Sequence, residues 1–192
     1  VSGVLTANGC GFKTDMVIIS AGVRPNVNIA QEAGIELGIT GAIKVNSRMR
    51  TNLQDIYACG DCVEKINMVS NAPVWLPQGS TANKEGRIAA INACGDVEDF
   101  EGILGSAVLR YRALNISMTG LTEKTAQKLG YDTVSVVITK RDKAGYMPEV
   151  QNVTLKLVAD RRSHKVLGAQ AIGRGDSDKR VNTVSVGLLS GM

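Results

Sequence analysis

Histidine, aromatic residues and proline are scarce in this sequence. Its 192 residues include one His and four Pro, and Phe, Trp and Tyr together make up 4%. The single His164 lies in the polar stretch Asp160–Lys165 between two alternating apolar runs, a position typical of a solvated hairpin turn rather than of a catalytic base. We therefore expect neither a Ser-His-Asp triad nor a metal site.

Charge of one sign and long apolar runs are also lacking. Lys and Arg number 22 against 18 Asp and Glu, for a net charge of +4. No block of like charges marks a nucleic-acid-binding surface. The longest apolar stretch, Met16–Val23, is far shorter than the roughly 18 residues that a membrane-spanning helix needs. Val1–Asp15 has neither a basic start nor an apolar run, so no signal peptide is expected.

The first half of the chain has the pattern of an α/β domain. Asp15–Ser20 is a continuous β-branched run, which predicts a buried strand with neighbours that the preceding residues hardly supply. The chain is therefore expected to begin inside a domain. Further segments are predicted as a helix over 27–33, strands over 41–45 and 55–59, and a helix over 78–94 capped by Ser80 or Thr81.

The second half has the pattern of an α+β domain on an antiparallel sheet. Val153, Leu155 and Leu157 alternate with Thr154 and Lys156, as in a sheet with one wet face. Strands are predicted at 107–111, 116–118, 134–139, 153–158 and 166–172, and helices at 122–129 and about 178–189.

The densest functional signal is the segment Thr51–Asp61, a predicted strand that stops at Gly60-Asp61. Gly60 lets a ligand approach the backbone, and the Asp61 carboxylate can accept hydrogen bonds from vicinal hydroxyls of a ribose or ribitol chain. The alternative is a loop Asp that caps the next turn, which the dipeptide alone favours.

The wider pattern resembles the FAD-dependent pyridine nucleotide-disulfide oxidoreductases. In the first half the resemblance is carried by Asp15–Asn26, Gly41–Asp61 and Ala82–Gly95. In the second half Gly120–Gly130, Ala144–Pro148, Lys156–Gly173 and Asp178–Arg180 resemble the dimerisation domain of the coenzyme A-disulfide reductase and NADH oxidase branch. The resemblance implies a mixed α/β and α+β fold, with a partial FAD/NAD(P)-binding domain followed by an α+β dimerisation domain.

The same resemblance implies a division of the chain and a fragment. Residues 1–26 correspond to the tail of the nicotinamide-binding domain, 27–97 to the second segment of the FAD-binding domain, and 98–192 to a dimerisation domain truncated at its end. The family's two Gly-rich fingerprints and its redox cysteine would lie upstream, so the NAD(P)H site is expected outside this chain. The chain alone is expected to be inactive.

The resemblance also implies roles for particular residues. Asp61 would bind the ribityl hydroxyls of FAD, and the segment from Thr51 to Gly60 would wrap the cofactor. The helix that begins near Thr81 would point free N–H groups at the pyrimidine edge of the flavin, with Ala82 offering its own N–H. Ala82 as a plain helix former is the alternative.

Two further residues are expected at the substrate. By resemblance Asn83 would touch it, although an Asn that favours a helix start explains that residue equally well. Tyr146 lies in a Gly- and Pro-bracketed loop, which favours a presented hydroxyl. The resemblance implies that this hydroxyl would reach across a homodimer to the partner's redox cysteine. A loop aromatic buried at the interface is the alternative.

The four cysteines, at positions 10, 59, 62 and 94, are too sparse for a disulfide scaffold and predict a reducing, cytoplasmic setting. Cys59 and Cys62 have thioredoxin-like spacing. They straddle Gly60-Asp61, where the resemblance implies cofactor binding, so two packed thiols are favoured over a dithiol site. Cys94 is expected in the core.

Taken together, these observations predict part of a homodimeric, FAD-dependent NAD(P)H oxidoreductase that acts on a disulfide, a persulfide or oxygen. Neither nucleic acid nor a membrane is an expected partner. The alternative is a stand-alone module that dimerises without a cofactor. Flavin absorption by the purified chain would separate the two interpretations.

Overall fold

The computed structural model describes residues 1–191 and shows two different kinds of structure along the chain. Before residue 100 the strands are short and pair only two at a time, and a five-stranded sheet follows. In chain order the elements are β1 (Gly3–Leu5), β2 (Gly11–Lys13), α1 (Asn28–Glu32), β3 (Lys65–Ile66), β4 (Pro73–Val74), α2 (Gly79–Ala93), β5 (Ala107–Tyr111), β6 (Leu114–Gly120), α3 (Glu123–Lys128), β7 (Thr133–Arg141), β8 (Asn152–Asp160), β9 (Val166–Gly173) and α4 (Ser177–Leu189).

The predicted strands at 41–45 and 55–59 are reduced to single bridges. Ile43 bridges Leu37 on one side and Val63 on the other, and Arg50 bridges Tyr57. Two small clusters hold these loops together. One is built on Val27, Ile43 and Val63, and the other joins Met49 to Ile88 and Ala89 of α2. The loop that carries Gly60 therefore rests on the inner face of α2.

The prediction of a buried strand at Asp15–Ser20 is wrong for the described residues. Ile18 and Ile19 are 83% and 85% exposed, and no strand assignment covers the segment. A continuous apolar strand is stable only when neighbouring strands satisfy its backbone and cover both faces. Within residues 1–191 no strand pairs with it.

The predicted α+β domain on an antiparallel sheet is confirmed. Five strands pair in the order β5-β6-β9-β8-β7, and every pairing is antiparallel. On one face α4 covers the sheet, where Val181 packs against Val153 and Ala171. This contact explains the period-two pattern of β8, because alternate residues of a strand point to the same face.

The opposite face is covered only at one end. There α3 packs Ala126 on Val158, and the Thr122 hydroxyl caps the helix by accepting a hydrogen bond from the Thr125 N–H at 3.1 Å. Beyond α3 this face exposes a groove of about 510 Å³. We call it the open face, and its apolar residues include Leu109, Ile116 and Ile172.

Some local predictions need correction. Helix α2 begins after Gln78, not after Ser80 or Thr81, because the backbone of Gln78 is the last extended one before the helix. Cys94 follows the helix and is exposed rather than in the core.

His164 lies in the β8–β9 turn with φ 60° and is exposed, as predicted. No helix within residues 1–191 is both long and apolar enough to cross a membrane.

The β8–β9 turn contains an acid whose ionisation should stabilise the fold. Asp160 Oδ2 accepts hydrogen bonds from the Ser163 hydroxyl at 2.6 Å and from its N–H at 3.0 Å. These donors lower the pKa of Asp160. A lowered pKa stabilises the folded state above the unfolded-state pKa of about 3.9, and that contribution is lost as the pH falls through the folded pKa.

We therefore expect Asp160→Ala to lower the free energy of unfolding at neutral pH. The difference from wild type should shrink steadily as the pH falls below about 4. Chemical unfolding at a series of pH values measures it. Ser163→Ala, which keeps the carboxylate and loses one donor, should show a smaller effect of the same sign. A difference that does not change with pH would contradict this account.

Candidate functional site

The candidate site centres on the turn that contains Gly60. Gly60 has φ +89°, a backbone conformation that L side chains rarely adopt. Its N–H donates to Glu85 Oε2 at 2.8 Å, and its C=O accepts from Lys65 Nζ at 2.9 Å. Both backbone polar groups of Gly60 are thus held by side chains.

Asp61, the next residue, is exposed. Its backbone C=O accepts a hydrogen bond from Trp75 Nε1 at 2.7 Å. Within residues 1–191 its carboxylate has neither a hydrogen-bond partner nor an ion-pair partner. The capping role considered as an alternative is therefore not what the structure shows, and the carboxylate is available as an acceptor for a ligand.

The first turn of α2 lies beside this turn. A Cβ built on Gly60 would lie 3.7 Å from the Ala82 Cβ, so the two backbones approach closely. The amides of Gly79, Ser80 and Thr81 precede the first intrahelical donor, and no side chain caps the helix. The Ala82 N–H already donates to Gln78 C=O at 2.9 Å. The open donors consequently lie one to three residues before Ala82, the donor expected from the sequence.

A buried ion pair lies beneath the turn. The Lys65 and Glu85 side chains are 1% and 0% exposed, and Nζ lies 3.5 Å from Oε1. Lys65 Nζ also donates to Val63 C=O at 3.2 Å. Burial raises the pKa of Glu85, while the Gly60 N–H and Lys65 act in the opposite direction.

Sequence reasoning missed this pair. No motif or spacing in the sequence indicates that Lys65 and Glu85 of α2 form an ion pair. The available signal was the position of Glu85 among Ala and Ile residues on the inner face of α2, where an unpaired acid is rarely found.

Cys59 and Cys62 accord with the interpretation as packed thiols. Cys62 Sγ donates to the Cys59 C=O at 3.5 Å, and both thiols are free. Burial, followed by the charge of Glu85, raises the pKa of Cys59. A reactive dithiol needs a lowered pKa, because the thiolate is the nucleophile. The environment of Cys59 therefore opposes that chemistry.

The remaining predicted residues are Thr51, Asn83 and Tyr146. The Thr51 hydroxyl donates to Ile56 C=O at 3.1 Å and closes its own loop. Asn83 is exposed in the first turns of α2. Tyr146 is 91% exposed in the β7–β8 connection, so it is not a core residue of this chain.

Comparison with known proteins shows the family. Residues 1–74 match the pyridine nucleotide-disulphide oxidoreductase family, and residues 106–192 match the dimerisation domain of that family. The chain belongs to the pyridine nucleotide-disulphide oxidoreductases.

Its relatives include both sulfur reductases and oxidases. It is 38% identical to the CoA-dependent NAD(P)H sulfur oxidoreductase of Pyrococcus furiosus, over 90% of this chain and 39% of that protein. It is 32% identical to the NADH oxidase of Streptococcus pyogenes, over 94% of this chain and 40% of that protein. The chain thus spans about two fifths of the length of these curated relatives.

Solved structures agree with this assignment. The NAD-dependent persulfide reductase from A. fulgidus superposes with a TM-score of 0.93 at 35% identity, over 99% of this chain and 35% of that one. An FAD-dependent family member from Desulfovibrio vulgaris superposes with a TM-score of 0.84 at 37% identity, over 100% of this chain and 46% of that one.

Proposed function

We propose that this chain is part of an FAD-dependent NAD(P)H oxidoreductase that reduces a disulfide or persulfide, such as that of coenzyme A, or oxygen. The observation that carries the proposal is the exposed, unpartnered carboxylate of Asp61 beside the uncapped first turn of α2. The named activities of the sulfur oxidoreductase and NADH oxidase relatives support it. We use "complete enzyme" below for the protein at the length of those relatives.

The donor set at this site fits FAD. Asp61 supplies an acceptor for the hydroxyls of a ribityl chain. Ser80 and Thr81 supply backbone N–H groups at the positive end of a helix dipole, which stabilises negative charge nearby. Gly60 presents backbone without a side chain, so a flat ring system can approach. FAD, when bound, supplies hydride transfer between nicotinamide and the substrate.

The division of the chain follows from this proposal. Residues 27–97 would contribute the FAD contacts, 1–26 would belong to the nicotinamide-binding part, and 98–192 would form the dimerisation domain. Thr51 would contribute to FAD binding through the shape of its loop, because its hydroxyl is already used there. Ala82 would contribute through its small side chain next to Gly60.

Asp61 is the most direct test of the cofactor site. Asp61→Ala in the complete enzyme removes a charge-assisted acceptor, so FAD affinity should fall by roughly 1.5–3 kcal/mol while the fold persists. Titration of the apoenzyme with FAD, followed by flavin fluorescence, measures the change. Asp96→Ala, an exposed acid after α2, is the matched control and should bind FAD as wild type does. Equal affinity in Asp61→Ala would refute the assignment.

We propose a homodimer formed through the second half of the chain. The open face supports the proposal, since Leu109 is 62% exposed, Ile116 38% and Ile172 43%. Contiguous apolar surface of this kind is typical of a surface that another protein covers.

Sedimentation should therefore show a dimer at tens of micromolar protein, a concentration at which micromolar interfaces are largely filled. Ile116→Lys should shift the equilibrium towards monomer. An exposed basic residue away from the face, Lys13→Met, should leave it unchanged. A wild-type protein that stays monomeric would contradict the proposal.

Tyr146 and Asn83 are proposed to serve the substrate. Asn83 would contact a thiol-bearing substrate through its amide, which both donates and accepts. Tyr146 would reach the partner subunit's active site, and its exposure in the β7–β8 connection supports this role. A hydroxyl that stabilises charge only as the disulfide breaks lowers the barrier rather than tightening ground-state binding.

We expect Tyr146→Phe to lower turnover by about tenfold to a hundredfold, which corresponds to roughly 1.4–2.7 kcal/mol, with little change in KM. Steady-state assays of the complete enzyme measure it. Tyr111→Phe, another exposed tyrosine, is the control. Wild-type turnover in Tyr146→Phe would favour the alternative of an aromatic packed at the interface.

A further inference from the structure

We infer that the buried Lys65–Glu85 pair is a positioning device, which fixes the Gly60–Asp61 turn against the first turn of α2 so that both can bind one ligand. The inference rests on the proposed FAD site and adds two residues to it that do not contact the ligand. The family resemblance implied no role for either residue, although Glu85 lies within the segment Ala82–Gly95 that helps to carry it.

The geometry shows how the pair holds the turn. Glu85 accepts from the Gly60 N–H, and Lys65 donates to the C=O of the same residue and to that of Val63. The chain entering the turn and the chain leaving it are therefore both fixed. Asp61 lies between the two Lys65 acceptors, so its backbone position follows from these bonds.

The pair also couples two separate segments. Asp61 and the open amides of Ser80 and Thr81 lie on different parts of the chain, and a shared ligand requires a fixed distance between them. Glu85 is on α2, one turn after those amides. Its bond to Gly60 at 2.8 Å is the hydrogen bond that joins the turn to the helix.

Stability alone is a weak reason for this arrangement. Desolvation of two buried charges costs several kcal/mol per ion, and a buried pair is often no more stable than an apolar replacement. Glu85 Oε1 has no hydrogen-bond partner, so the pair is not fully compensated. An apolar replacement of the pair would leave the N–H and C=O of Gly60 without these hydrogen-bond partners. The turn would then no longer be fixed.

A double-mutant cycle separates positioning from general stability. The double variant Lys65→Met/Glu85→Gln removes both charges together and leaves an acceptor for the Gly60 N–H. In the apo form of the complete enzyme, we expect it to weaken FAD binding at least tenfold. Asp61→Ala should then weaken binding at least threefold less in this background than in wild type, because Asp61 is no longer held in place.

The controls use neighbouring exposed charges. Lys84→Met and Glu98→Gln together should leave both the FAD affinity and the Asp61→Ala effect unchanged. If circular dichroism shows that the double variant does not fold, the effect of Asp61→Ala on FAD affinity is measured in the Glu85→Gln background instead.

Each outcome decides the question. An Asp61→Ala effect of the same factor in both backgrounds overturns the inference and leaves the proposed function standing, because it shows that the pair acts only on stability. Wild-type affinity in the double variant overturns it as well. Failure of the wild-type apoenzyme to bind FAD overturns the proposed function, and the inference falls with it.

Discussion

The candidate site depends on the hydrogen bonds that replace water at the backbone N–H and C=O of Gly60, a glycine in the left-handed conformation. Gly60 has φ +89°, its N–H donates to Glu85 of α2, and its C=O accepts from Lys65. Buried backbone groups without partners are costly, and within residues 1–191 no strand pairs with Gly60 to supply them. Glu85 and Lys65 take that role, each from a side chain that is almost completely buried. The exposed position of Asp61 follows from this arrangement.

The two halves of the chain leave apolar surface exposed for different reasons. In the first half Ile18 and Ile19 are exposed because a strand-like run has no paired strand among the described residues. In the second half the sheet is regular and complete in its own pairings, and the open face is exposed because α3 covers only one end of it. The proposed homodimer would cover the second surface.

Sequence patterns predicted the second half well and the first half poorly. Apolar and polar residues alternate along 153–158, which predicts a strand with one covered face. In the structure this strand is β8, and α4 covers that face. Within 41–45 and 55–59 the structure has only the isolated bridges of Ile43 and Tyr57 in place of the predicted strands. Asp61 could be singled out because it follows Gly60 at the end of a predicted strand, and the family resemblance implied its role. Lys65 and Glu85 were missed because their pairing joins residues 20 positions apart, which no period or motif reports.

The central claim is that the turn at Asp61 and the first turn of α2 bind one ligand together. Hydrogen–deuterium exchange of the complete enzyme, with and without FAD, tests it most directly. The account predicts that FAD slows exchange in peptides covering 60–62 and 79–82, while exchange in strand β8 stays unchanged. The account would be contradicted if FAD slowed exchange only in other segments and left the exchange of 60–62 and 79–82 as it is in the apoenzyme.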